Sequence, residues 1–132
     1  MPAALALIAA WARSAVAPHG GAFARLAPHE LAAPVLQGLL ARAGLAPADV
    51  DAIVLGNALG AGGNPARVLA LAAGLPDACA ALSVDTQCCS GLDAVSVAAG
   101  LIASGQAEVV VAGGVEAWSR APLRQHRPLD EH

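Results

Sequence analysis

The sequence predicts an α/β protein, with a mostly parallel twisted sheet flanked by helices. Short apolar runs at 52–56, 81–85 and 108–112 alternate with longer helical patterns, as βαβ units do. Proline and glycine bracket those helical patterns as start and stop signals. The chain is 57% hydrophobic but only 2% aromatic, so its core is built from Ala, Val, Leu and Ile. Small side chains let helices approach a sheet closely, which favours stacked α/β layers over a β-sandwich.

Taken in order, the first apolar run, 3–11, reads as a buried strand. It falls short of the roughly 20 apolar residues of a membrane span. Ala15-Val16-Ala17 has the look of a cleavage site, but no basic residue precedes the run as a secretory signal requires. Residues 13–23, with Pro18, Gly20 and Gly21, form a loop. A helix starts at Pro28 and runs to about Ala43, with Leu31, Val35 and Leu39 at four-residue spacing and Gly44 as its stop. Pro34 lies near its first turns, where a missing N–H matters least.

The second strand is 52–56, followed by a Gly- and Asn-rich loop to 64. A helix spans 65–73, opened by Pro65 and closed by Gly74. The third strand, 81–85, leads into a polar turn, and a helix over 90–104 stops at Gly105. The fourth strand, 108–112, closes at Gly113-Gly114. The domain is placed at 1–121, and 122–132, with two prolines and mixed charge, reads as a truncated connection.

The 90–104 helix has almost no polar face. A helix that is apolar all round is buried all round, and four strands with three helices are too few to cover it. The half-domain is therefore expected to be incomplete alone, with a second copy or a second domain packed on its far side.

Composition removes several function classes. Net charge is −3 with no block of like charge, which argues against a nucleic-acid surface. All seven basic residues are arginines; without lysine there is neither Schiff-base chemistry nor a Walker phosphate loop. Three cysteines, two of them adjacent, make no disulfide framework, which reads as a reduced, cytoplasmic protein, and no zinc-ligand spacing is present. No membrane partner is expected.

The most informative stretch is Val84-Asp85-Thr86-Gln87-Cys88-Cys89-Ser90-Gly91. A strand stops at a polar turn and a cysteine stands at the mouth of a helix, where free amides and the helix dipole favour a thiolate. That arrangement suggests a nucleophile that accepts an acyl group and passes it on.

With Gly56-Asn57, Asn64-Pro65-Ala66-Arg67 and Gly113-Gly114-Val115-Glu116-Ala117-Trp118-Ser119-Arg120-Ala121-Pro122, the chain resembles the N-terminal part of a thiolase over nearly its whole length. Residues 13–21 look like a drifted form of that family's Arg-Thr-Pro-Ile loop. The family's Asn-x-x-Cys-x-Ser-Gly motif, laid on this chain, selects Cys88 rather than Cys89 as the acylated residue, with Asp85 where asparagine is usual. Val84-Asp85-Thr86-Gln87-Cys88 also looks like the cysteine motif of β-ketoacyl synthases, which share the fold and stand second.

The resemblance implies acyl-CoA thioesters as substrates, no bound cofactor, and thiolysis or Claisen condensation of the kind used in fatty acid metabolism. It implies that the base and most of the oxyanion hole come from Gly-His-Pro, Asn-Glu and Cys-x-Gly-Gly-Gly segments that this chain lacks, leaving the Cys88 N–H as its own oxyanion donor. The partner would be a complementary C-terminal chain or a second copy in a homodimer. A catalytically inactive dimerising module is the alternative. Cys79 and Cys89 are expected to be core fillers and His19, His29, His126 and His132 exposed and non-catalytic. Gly113-Gly114 should pack closely beside the cysteine helix. Glu116 should fix a turn, and Arg67 either meets a dimer partner or lines the surface.

Overall fold

The structure, a computed structural model, describes residues 5–60 and 62–129. Helix α1 (Pro28–Ala43) is followed by β1 (Ala52–Gly56), α2 (Pro65–Ala72), β2 (Ala80–Val84), α3 (Ser90–Ala103) and β3 (Val110–Gly114). The three strands form one parallel sheet in the order β2-β1-β3, with Val54 opposite Leu82 on one side and Ala112 on the other.

That order dictates the layers. The β1→β2 crossover moves one way across the sheet and β2→β3 moves the other. Right-handed crossovers then put α2 and α3 on opposite faces. The cores match: Ile53 and Leu55 pack with Leu36 and Leu40 of α1 and Ala66, Leu69 and Ala70 of α2, while Val54 packs with Ala94 and Ala98 of α3. Central β1 is buried at every position.

The punctuation behaves as read. Gly44 ends α1 at φ 69, a left-handed cap that glycine adopts without strain. Asn64 caps α2, its Oδ1 accepting the amides of Ala66 and Arg67 and the Ser83 hydroxyl at 2.6 Å, which ties the helix start to β2.

Two expectations fail at the level of the fold. The strand expected over 3–11 does not form: residues 5–11 make no ladder hydrogen bond, and Leu5 is 82% exposed. (Residues 3 and 4 lie outside the described set.) A strand exists only against a partner edge. This segment is held to α1 instead, with Arg42 Nη1 donating to the Trp11 carbonyl at 2.8 Å and its guanidinium 5.9 Å from the indole centroid. An apolar groove of about 750 Å3 lies between residues 12–19, Leu31 and Val35 of α1, and Val111 and Val115 at the β3 side. The second failure is Cys89, which is exposed, whereas Cys79 is buried at 1%. Cys89 belongs to the turn before α3 and not to the helix face that meets the sheet.

Helix α3 is covered on one side only. Ser90, Ala94 and Ala98 are buried, but Leu92 is 71% exposed and Val95 is exposed as well. Residues 121–129 carry no regular element. No helix among the described residues is long and apolar enough to cross a membrane.

At the opposite end of the sheet, Asp51 Oδ2 accepts the amides of Glu108 and Val109 at 2.8 and 2.9 Å, joining the starts of β1 and β3. These backbone bonds, Val109 first, hold its carboxyl below the ordinary value. A lowered folded value means the contribution is whole at neutral pH and lost as pH falls through that value. Asp51→Asn is therefore expected to lower stability at neutral pH and to flatten the acid loss. Urea midpoints at neutral pH and at about pH 3 measure this; a deficit equal at both would remove charge from the explanation.

Candidate active site

In a parallel sheet whose strand order reverses, the crevice beyond the carboxyl ends of the strands, on either side of the reversal, is where chemistry collects. Here the reversal is at β1, and the three strands end at Gly56, Val84 and Gly114. The residues that follow are Asn57, the turn 85–89 and Glu116, so the sequence elements singled out above share one rim.

The N-terminus of α3 is brought down onto that rim by glycines. A Cβ on Gly56 would lie 2.5 Å from the Ser90 carbonyl carbon and 2.7 Å from the Gly91 amide. A Cβ on Gly114 would lie 3.2 Å from the Gly56 carbonyl oxygen and 3.5 Å from the Gly91 Cα. The close packing expected of Gly114 beside the cysteine helix is present; Gly113 has open space on its Cβ side.

Cys88 is exposed in a 3-10 turn, Gln87–Cys89, immediately before α3. The turn is braced by its neighbours. The buried Ser90 hydroxyl donates to the Gln87 carbonyl at 2.6 Å and accepts the Thr86 amide at 2.9 Å. Asp85 Oδ1 accepts both the Gln87 amide and its side-chain Nε2, at 3.0 and 3.2 Å. Gln87 has φ 57, the only positive φ at a non-glycine residue among those described. A side chain in the left-handed region carries strain of order 1 kcal/mol or more, and such strain concentrates at functional sites. Gln87, Ser90 and the bracing role of Asp85 were not identified from sequence. Glutamine carries no left-handed signal, and a serine opening a helix reads as an ordinary cap.

On the other side of the rim, Glu116 holds the loop after β1. Its carboxylate accepts the amides of Ala58 and Leu59 and the Asn57 side-chain amide. Asn57, 6% exposed, also donates to the Val115 carbonyl at 2.8 Å and accepts the Gly60 amide at 2.9 Å. Arg124 donates to the carbonyls of Ala58 and Leu59 from outside. Glu116 is thus a turn-fixing residue, as expected. A shallow depression of about 180 Å3 lies between this loop and Asp85.

No hydrogen bond among the described residues joins Cys88 to a histidine. His19 lines the apolar groove, His126 is exposed in the tail, and His29 is half-buried in the first turn of α1 rather than exposed; His132 lies outside the described residues. Arg67 is half-buried on α2, its Nη1 3.5 Å from the Asp77 carbonyl. Burial pushes the Cys79 thiol up, with Arg67 working against it. No group of three potential metal ligands is assembled among the described residues.

Residues 6–131 match a family model described as "Thiolase, N-terminal domain". The chain is 43% identical over 122 residues to an acetyl-CoA acetyltransferase of Shinella zoogloeoides, covering 91% of this chain and 31% of that protein. It is 45% identical over 118 residues to one of Cupriavidus necator, covering 88% and 30%. Among solved structures it is similar to the Bacillus anthracis acetyl-CoA acetyltransferase, with a TM-score of 0.90 and 44% identity over 96% of this chain and 34% of that one. The chain thus spans about a third of the length of these relatives.

Proposed function

The chain belongs to the thiolase family, corresponding to its N-terminal domain, and on that premise we propose that it is the nucleophile-bearing segment of an acyl-CoA acyltransferase. The observation that carries the reading is the placement of Cys88: exposed, at the mouth of α3, in a braced and strained turn at the carboxyl end of a parallel sheet.

In this reading the Cys88 thiolate attacks the thioester carbonyl of an acyl-CoA. The carbon–sulfur bond to coenzyme A breaks, and the coenzyme thiolate leaves with the electron pair. The acyl-cysteine is then attacked by the α-carbanion of a second acyl-CoA, giving a β-ketoacyl-CoA and freeing Cys88. In thiolysis Cys88 instead attacks the β-carbonyl of a β-ketoacyl-CoA. The Cα–Cβ bond breaks, the α-carbanion leaves and takes a proton, and a coenzyme A thiol removes the acyl group from Cys88. The relatives named as acetyl-CoA acetyltransferases make acetyl the first acyl group to test. The turn supplies the nucleophile and the Cys88 amide as an oxyanion donor. The remaining two-thirds of a thiolase supplies the base, and its docking covers the exposed face of α3 around Leu92 and Val95. We assign that partner either as a C-terminal chain or as the rest of a longer polypeptide, in the cytoplasm.

The test is acetyl transfer itself. The purified chain is mixed with acetyl-CoA, alone and with the C-terminal two-thirds of the Shinella zoogloeoides relative, and read by peptide mass spectrometry. An acetyl group on Cys88, abolished in Cys88→Ala and retained in Cys89→Ala, is the expected result. Absence of the adduct in both mixtures, or its transfer to Cys89, would sink the proposal.

A further inference from the structure

We propose that Cys88 and Cys89 form a reversible oxidation site, closing to a disulfide between adjacent residues when a peroxide reaches the turn. The inference needs the two thiols and their turn; it does not depend on acyl transfer.

Three observations carry it. Both thiols are free and exposed, while the third cysteine, Cys79, is buried. Both stand in one 3-10 turn ahead of the first residue of α3, with Cys89 as that helix's N-cap. Its Cys89 amide reaches the Thr86 carbonyl at only 3.4 Å, so rotating the linking peptide gives up a weak bond. The bracing contacts from Asp85 and Ser90 to Thr86 and Gln87 do not involve either sulfur, so the turn stays anchored while its tip rearranges.

The step balances as follows. One thiol gives up its proton and its thiolate attacks the peroxide oxygen; the O–O bond breaks, a sulfenic acid forms, and the departing hydroxide takes up that proton as the first water. The neighbouring thiol then attacks the sulfenic sulfur, the S–O bond breaks, and a second water leaves as the S–S bond closes. Two thiols are oxidised by two electrons in all, and one hydrogen peroxide is reduced to two waters. Adjacent Cα atoms are about 3.8 Å apart, below the roughly 4.4 Å lower bound usual for disulfides, so the closed ring is strained. Strained disulfides are easily reduced, which makes this bond a switch rather than a staple.

The experiment treats the full chain with one equivalent of hydrogen peroxide under native conditions, followed by iodoacetamide and intact and peptide mass analysis. The expected product is a monomer lighter by two hydrogens, refractory to alkylation at positions 88 and 89, and restored by dithiothreitol. The same product should form in Cys79→Ser. In Cys89→Ser it should fall by about tenfold or more, replaced by oxygen addition at Cys88. Far-UV circular dichroism checks that each variant is folded; both positions in the pair are exposed, and Cys88→Ser is the reciprocal variant should either fail. Loss of the product in folded Cys79→Ser, its persistence in Cys89→Ser, or oxygen addition as the main wild-type outcome would each overturn the proposal.

Discussion

Replacing Gly56 with alanine is expected to destabilise the protein by about 3 kcal/mol, the upper end of the usual cost of overpacking, because the atoms it meets cannot yield. The new Cβ would meet Ser90 and Gly91 main-chain atoms at 2.5–2.7 Å. Backbone cannot rotate aside as a side chain does, so α3 must lift off the sheet. Lifting it opens the contact of Val54 with Ala94 and Ala98 and drags the Ser90 hydroxyl from the turn it braces. Gly91→Ala is the matched control, since a Cβ there meets nothing within 4 Å. It should be neutral or stabilising by up to about 1 kcal/mol, because alanine favours helix. Urea denaturation measures both. Equal midpoints for the two variants would show that the approach of α3 to β1 is not what fixes the turn.

Glu116→Ala is expected to cost about 2–3 kcal/mol, because it strips the acceptor from two backbone amides and the side chain of buried Asn57 at once. Part of the loss is recovered by water, since Glu116 is only half-buried. Glu116→Gln keeps one carbonyl acceptor without the charge and should cost about 1 kcal/mol. The distinguishing readout is hydrogen exchange at Ala58 and Leu59. Their protection should fall in the alanine variant while that of the β1 amides holds. Unchanged protection at those two amides would mean that the loop is held by Arg124 and Asn57 alone.

Much of this arrangement was legible in the sequence, and the part that was not has a common cause. Pro28, Gly44 and Pro65 sit at helix ends because their constraints are local: a missing N–H, a left-handed cap. The three paired strands were placed to within two residues for the same reason, since each is a short apolar run between turn residues. The first apolar run looks no different, yet forms no strand, because a strand depends on a distant edge that no local pattern reports. Asp51 shows the same limit, the amides that donate to it lying 57 and 58 residues away. At the site, motif order singled out Cys88 and Glu116. Cys89 was misjudged because its apolar character suggested the core, while its turn turns it outward.

The strand order has a consequence for biosynthesis. β1 leaves the ribosome first and ends in the middle, so the sheet grows outward from its oldest member, gaining β2 on one flank and then β3 on the other. Each addition waits for a crossover helix, and α1 must shelter Leu36 and Leu40 until α2 has been translated. The clamp of Glu116 on the loop after β1 can close only when all three strands are in place. The rim that carries Cys88 therefore takes shape only after all three strands have paired.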